Sequence, residues 1–197
     1  MLFRSAREHS HAALSGWSGR DVEYGAALGL ALANNARGEQ IGIANLADDL
    51  AKRFPDDTLV RFNYLPTLRA QIALNRDQPS QAIEVLQASV PYELGTLEAY
   101  GFPQALLPVY VRGEAYLATH RGPEAAVEFQ KVLNHRGIVF NEPIGALAHL
   151  QLGRAYVLSG DDTKAKSAYQ DFLSLWKDAD PDVPILKEAR AEYAKLK

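Results

Sequence analysis

The sequence predicts an all-α chain built of paired helices, and three observations carry that expectation. Among 197 residues, Ala (30) and Leu (26) far outnumber Val (11), Ile (7) and Thr (5), a helix-forming composition poor in the β-branched residues that strands prefer. Apolar residues recur at spacings of three and four, and the breaks fall at Gly, Pro and Asp clusters. Finally, one pattern recurs: Gly113, Tyr116, Ala125 and Phe129 have the offsets 0, 3, 12 and 16 of Gly153, Tyr156, Ala165 and Tyr169.

Taken in order, the periodicity places helices at 21–35, 39–54, 63–76, 79–89, 105–119, 123–134, 144–159, 162–177 and 184–197, with a further short helix near 3–14. Two connections exceed a turn, at 91–104 and 135–143. A looser copy of the pattern joins Ala70 to Ala82 and Leu86, and a still looser one runs from Gly25 to Phe54. Pro66 and Pro108 fall in the first turn of a helix, where a missing N–H costs little. Gly160 stands where the first helix of the last pair must stop in a left-handed turn. The organisation expected is an N-terminal helix or remnant of a preceding repeat over 1–20, about four helix hairpins over 21–181, and a C-terminal capping helix over 182–197.

Chemistry-bearing patterns are few. With no cysteine there is no disulfide framework, thiolate metal site or cysteine nucleophile. Charge is nearly balanced at −3, which argues against general affinity for nucleic acid or anionic lipid, and no apolar run approaches the ~20 residues of a membrane span. The acidic run Asp178 to Asp182 opens like a calcium loop but has Val183 where glycine and Ala189 where glutamate would be needed, so it reads as a solvated turn in which an Asp caps the next helix. His120, His135 and His149 form no zinc-binding or nucleophile-activating pattern. Trp17 and Trp176 read as hydrophobic filler. The expectation is a non-enzymatic chain with neither metal nor cofactor.

The small residue, Tyr, Ala and aromatic at these offsets resemble the tetratricopeptide repeat (TPR), which implies an α-solenoid of antiparallel helix hairpins. In that frame the glycine lets two helices approach, the Tyr fills the hairpin and the second-helix Ala sits at the crossing. More narrowly, the strings RFPDDT, FNYLPTLRAQIALNR, PYELG, HRGIVFNEPIGALAHL and LWKDADPDVPILKEARAEYAKL resemble the C-terminal repeat region of bacterial eukaryotic-like serine/threonine protein kinases. None of the kinase catalytic motifs is in this chain, so kinase activity would require a catalytic domain preceding it in a parent protein.

The repeat frame places Tyr64, Thr67, Gln71, Tyr110, Glu114, Gln151 and Arg154 on a concave face suited to a peptide or partner helix. It implies a protein-interaction scaffold, with a regulatory kinase region and a self-associating module as the alternatives. A cytoplasmic location is expected, or an extracytoplasmic one if the repeats belong to a membrane-anchored kinase.

Overall fold

The computed structural model describes residues 2–16, 19–33, 37–95, 106–139 and 142–196. Every regular element among them is helical. In chain order these are α1 (Leu2–Gly16), α2 (Arg20–Ala33), α3 (Arg37–Arg53), α4 (Leu65–Asn75), α5 (Pro79–Leu86), α6 (Leu107–Ala118), α7 (Gly122–Asn134), the single turn α8 (Arg136–Val139), α9 (Pro143–Leu158), α10 (Asp162–Leu175) and α11 (Pro184–Tyr193). The chain divides into two compact units, the first holding α1 to α5 and the second α6 to α11. No helix among the described residues is long and apolar enough to cross a membrane. Trp17 and residues 96–104 of the expected long connection lie outside the described residues.

In the first unit each helix packs on the next, and α2 also packs on α4. The expected N-terminal helix is a full element, with Gly29 of α2 so close to α1 that a Cβ there would lie 2.6 Å from Ser10 Oγ. The helix carrying Pro66 begins earlier than its periodicity indicates. A widened π turn over Val60–Tyr64, closed by the Leu65 amide on the Val60 carbonyl, leads directly into α4. The reason is Pro66, whose ring would collide with the Phe62 carbonyl of a regular helix and which has no N–H to offer it. A 3₁₀ segment, Gln87–Tyr92, returns over this turn, and Tyr92 stacks on Phe62 with ring centroids 4.1 Å apart.

The second unit repeats one local design. Gly113 of α6 faces Phe129 of α7, and an added Cβ would lie 2.6 Å from the ring; Gly153 of α9 faces Tyr169 of α10, at 2.8 Å. Ala125 and Ala165 are fully buried beside these contacts. In the first unit Ala70, Ala82 and Leu86 hold the same offsets and are likewise fully buried. Tyr116 and Tyr156 do not fill the hairpins as their place in the pattern implied: both are half-buried, with the Arg121 guanidinium 4.6 Å from the Tyr116 ring centre and Lys164 Nζ 5.5 Å from that of Tyr156. The aromatic sixteen residues after the glycine, Phe129 or Tyr169, fills the space instead.

The turns recur more closely than the side chains. Asp77, His120 and Gly160 all have left-handed backbone, with φ of 58°, 57° and 74°. In each, the amide after the left-handed residue reaches back five residues: Gln78 to Ala73, Arg121 to Tyr116 and Asp161 to Tyr156, at 2.9, 2.9 and 3.0 Å. Only Asp161 goes on to cap the following helix with its side chain, accepting from the Lys164 amide.

At the C-terminal end α11 buries Leu186 and Ala189 against Leu150, Tyr169 and Phe172, leaving Lys187, Glu188 and Arg190 exposed. The capping residue is Val183 rather than the expected aspartate; Asp182 pairs with Lys187 and Asp180 accepts from the Asp182 amide.

Gly113→Ala is expected to lower stability by about 1–2 kcal/mol, because overpacking of about 1–3 kcal/mol outweighs a helix-propensity gain of up to about 1 kcal/mol. Gly42→Ala, in α3 with open space around the new methyl, is expected to raise it by up to about 1 kcal/mol. Paired urea-unfolding curves check both; a stabilised Gly113→Ala would contradict the close crossing.

Candidate functional site

The seven residues expected on a groove separate into two groups. In the first unit Tyr64 and Thr67 are fully buried, so, contrary to expectation, they hold structural positions and do not line a groove. Tyr64 lies parallel to Tyr24 of α2, centroids 3.7 Å apart, and donates to Asp21 Oδ1 at 2.7 Å. Asp21 is held in turn by Arg20, whose guanidinium also reaches Asp57 at 2.6 Å. Burial pushes both carboxylates up, yet Arg20 and the Tyr64 hydroxyl hold Asp21, and the Val60 amide and Arg20 hold Asp57, below their usual range. Thr67 donates to the Asn63 carbonyl at 2.6 Å inside the widened turn. Gln71 is 8% exposed; its amide donates to Asn75, which ties α4 to the Ala31 carbonyl of α2, while Gln71 Oε1 is sealed in without a partner. Tyr64 meets Tyr24 and Asp21, and Asn75 meets Ala31, where α2 and α4 pack directly together.

The second unit brings the other four together. α6 packs on α9 as well as on α7, which sets Tyr110 and Glu114 against Gln151 one helix away. Gln151 Nε2 donates to Tyr110 Oη at 3.2 Å and to Glu114 Oε1 at 3.1 Å, and its carbonyl accepts from Arg154 at 3.3 Å. Arg154 makes a two-point pair with Glu192 of α11, at 2.9 and 2.8 Å, and reaches Glu188 at 3.4 Å. Glu192 also accepts from Tyr169 Oη at 2.7 Å. A polar line therefore runs Tyr110, Glu114, Gln151, Arg154, Glu192, Tyr169 across α6, α9, α10 and α11.

Its electrostatics are uneven. Burial pushes the Glu114 carboxyl up to about 7, with the Tyr110 hydroxyl, the Gln151 amide and Arg154 opposing that rise only in part. Burial acts on Glu192 in the same direction, yet Arg154 and Tyr169 hold it below the usual carboxylate range. Tyr110 is raised by its burial and by Glu114, so its hydroxyl stays protonated and available to donate. Tyr110 and Gln151 are nearly buried at 6% and 8% exposure, whereas Glu114 and Arg154 are partly open.

Beside this line lies an open apolar cleft of about 350 Å³, lined by Leu117, Val157, Leu158 and Leu196 together with Arg154, Tyr169, Glu192 and Lys195. Val157 and Leu158 are 42% and 44% exposed. A separate hollow of about 460 Å³ lies at the ends of α7, α9 and α10, lined by Val132, Val139, His149 and Trp176 among others. Burial lowers the His149 pKa below the imidazole value although Asp171 lies 3.7 Å from Nδ1, leaving a neutral ring on an apolar wall.

Two features have no counterpart in the sequence reading. Arg112 is 3% exposed and pairs with Glu128 at 2.6 Å, bracing α6 on α7 immediately before the Gly113–Phe129 contact. Their positions, one residue before Gly113 and one before Phe129, are the signal that could have revealed them. The exposed Val157–Leu158 pair closes α9 in a run that reads as core by periodicity alone.

Among the described residues, no cluster of three or more His, Asp or Glu side chains could hold a metal. Comparisons with family models, curated proteins and solved structures find no match to this chain.

The Glu114 arrangement implies a pH dependence. Because its folded pKa is raised, the unfolded chain loses this proton first, so stability falls as pH rises from about 4.5 to about 7, by up to ~3 kcal/mol for a shift of this size. Glu114→Gln should flatten the profile over that interval, leaving the smaller decline that the burial of Glu142 contributes. Urea midpoints for both proteins at half-unit pH steps from 4.5 to 7.5 measure it, and parallel profiles would refute it.

Proposed function

We propose that this chain is a non-catalytic scaffold of TPR-like helix hairpins that binds a peptide or helix of a partner protein. The observation that carries the reading is the repeated left-handed turn at Asp77, His120 and Gly160, each seven residues after the small residue of its hairpin. One backbone solution used three times under different side chains is what a repeat array requires. The polar outer face of α11 supports the same reading, since a stack of hairpins needs a soluble end.

The binding face is the α6, α9 and α11 surface of the second unit, where the polar line meets the apolar cleft. Exposed Val157 and Leu158 beside ordered polar groups form the mixed surface that peptide recognition uses. Arg154 orients the face through Glu192 rather than standing free to meet a partner.

Selection of peptides from a random display library on the immobilised protein tests this reading. The expected result is enriched peptides whose affinity drops at least tenfold for Val157→Glu or Leu158→Glu, with unchanged circular dichroism and melting temperature. Failure to enrich any peptide, or equal binding by both variants, would overturn it.

A further inference from the structure

The α6, α9 and α11 face carries more acid than base. Glu114, Glu188 and Glu192 share it with Arg154 and Lys195, and the guanidinium is already committed to Glu192, Glu188 and the Gln151 carbonyl. Glu114 has only neutral hydrogen-bond partners, the Gln151 amide and the Tyr110 hydroxyl; among the described residues no cation forms an ion pair with it. From α7, the charged Glu128 is turned to Arg112 instead. Arg154 acts on Glu114 only through its charge, without an ion pair, and offsets the burial in part; a desolvated carboxylate in that position is stabilised strongly when a cation arrives in direct contact, because the remaining cost of its burial is then offset by an ion pair.

The apolar cleft stands in register with this carboxylate. Leu117 follows Glu114 by three positions on α6, and Val157 and Leu158 follow Arg154 by three and four on α9, so the cleft lies one helical turn, about 5 Å, further along the same faces. On the cleft wall Arg154 and Lys195 outnumber Glu192, which is already paired with Arg154, so a second cation is disfavoured there. Charge and shape thus select a partner with a basic group at one end and an apolar group at the other.

We propose that Glu114 takes a lysine or arginine side chain of a partner protein while the cleft takes an apolar side chain about 5–7 Å further along it, a separation of two residues in an extended segment or one turn in a helix. The proposal rests on the scaffold reading and names the partner's chemistry. Arriving next to Glu114, the cation favours the ionised carboxylate, so binding near neutral pH releases a proton from this group.

The test uses the peptides enriched on the wild-type chain. Enriched sequences are expected to place Lys or Arg two to four residues from a large apolar residue. A synthetic peptide of that kind should lose at least tenfold in affinity on Glu114→Gln and on replacing its basic residue by Gln, with the double change costing little more than either alone. Titration calorimetry at pH 6.5 in phosphate and in Tris should show net proton release with the wild type and none with Glu114→Gln. Enriched peptides that lack basic residues, or that bind Glu114→Gln as tightly as the wild type, would overturn the inference and leave the scaffold reading intact. No enrichment at all would overturn both.

Discussion

The constraint on which the second unit depends is the contact of a glycine with an aromatic ring where two helices cross. At Gly113 and Gly153 the rings of Phe129 and Tyr169 occupy the space in which any other residue would carry its Cβ. Each ring is then used again. Tyr110 packs edge-on against Phe129, centroids 5.5 Å apart, so the position of its hydroxyl, and with it the hydrogen bond network at Glu114, follows from the Gly113 crossing. Tyr169, seated at Gly153, donates to Glu192, which holds Arg154. The polar line is therefore attached at both ends to the contacts that set the helix spacing, and a packing change at either crossing reaches it through one intervening side chain.

Helix placement was legible because the apolar period and the Gly, Pro and Asp breaks agree, and because the offsets from Gly113 and Gly153 mark the crossings. What sequence alone missed has identifiable physical causes. His120 and Asp77 adopt left-handed backbone that only glycine advertises; at these positions the closing hydrogen bonds of the turn outweigh the cost of φ > 0. The widened turn before Pro66 is a local response to a ring that a period of 3.6 does not register. Tyr116 and Tyr156 sit at pattern positions, but a cation from the start of the following helix, Arg121 or Lys164, lies over each ring near the surface.

The candidate site was legible in part, and the division follows the packing. Gln151 meets Tyr110 and Glu114 because α6 packs on α9, whereas Tyr64 is covered because α2 packs on α4 and places Tyr24 against it. Nothing in the 0, 3, 12, 16 spacing states which face of a first helix another first helix will cover. That depends on the partner helix, and α2 offers an aromatic ring and an Asp21 acceptor that are read as ordinary core and surface residues until the two helices are docked.

Charge pairing gives Glu114 its meaning. Glu23 is buried beside Arg53, Asp21 and Asp57 share Arg20, Glu128 takes Arg112 and Glu192 takes Arg154. In each of these pairs an arginine from the same unit offsets the desolvation of the acid. Glu114 breaks the pattern within a few ångströms of groups that follow it: Gln151 bonds both Glu114 and Arg154, yet the guanidinium turns to α11. Had Arg154 paired with Glu114, the carboxylate would be neutralised and α11 would lose its polar tie to α9. The observed choice secures the end of the unit and leaves the half-buried Glu114 carboxylate without an ion pair, one helical turn from an open apolar cleft. The same arginine that stabilises the C-terminal helix thereby determines which charge the face can accept.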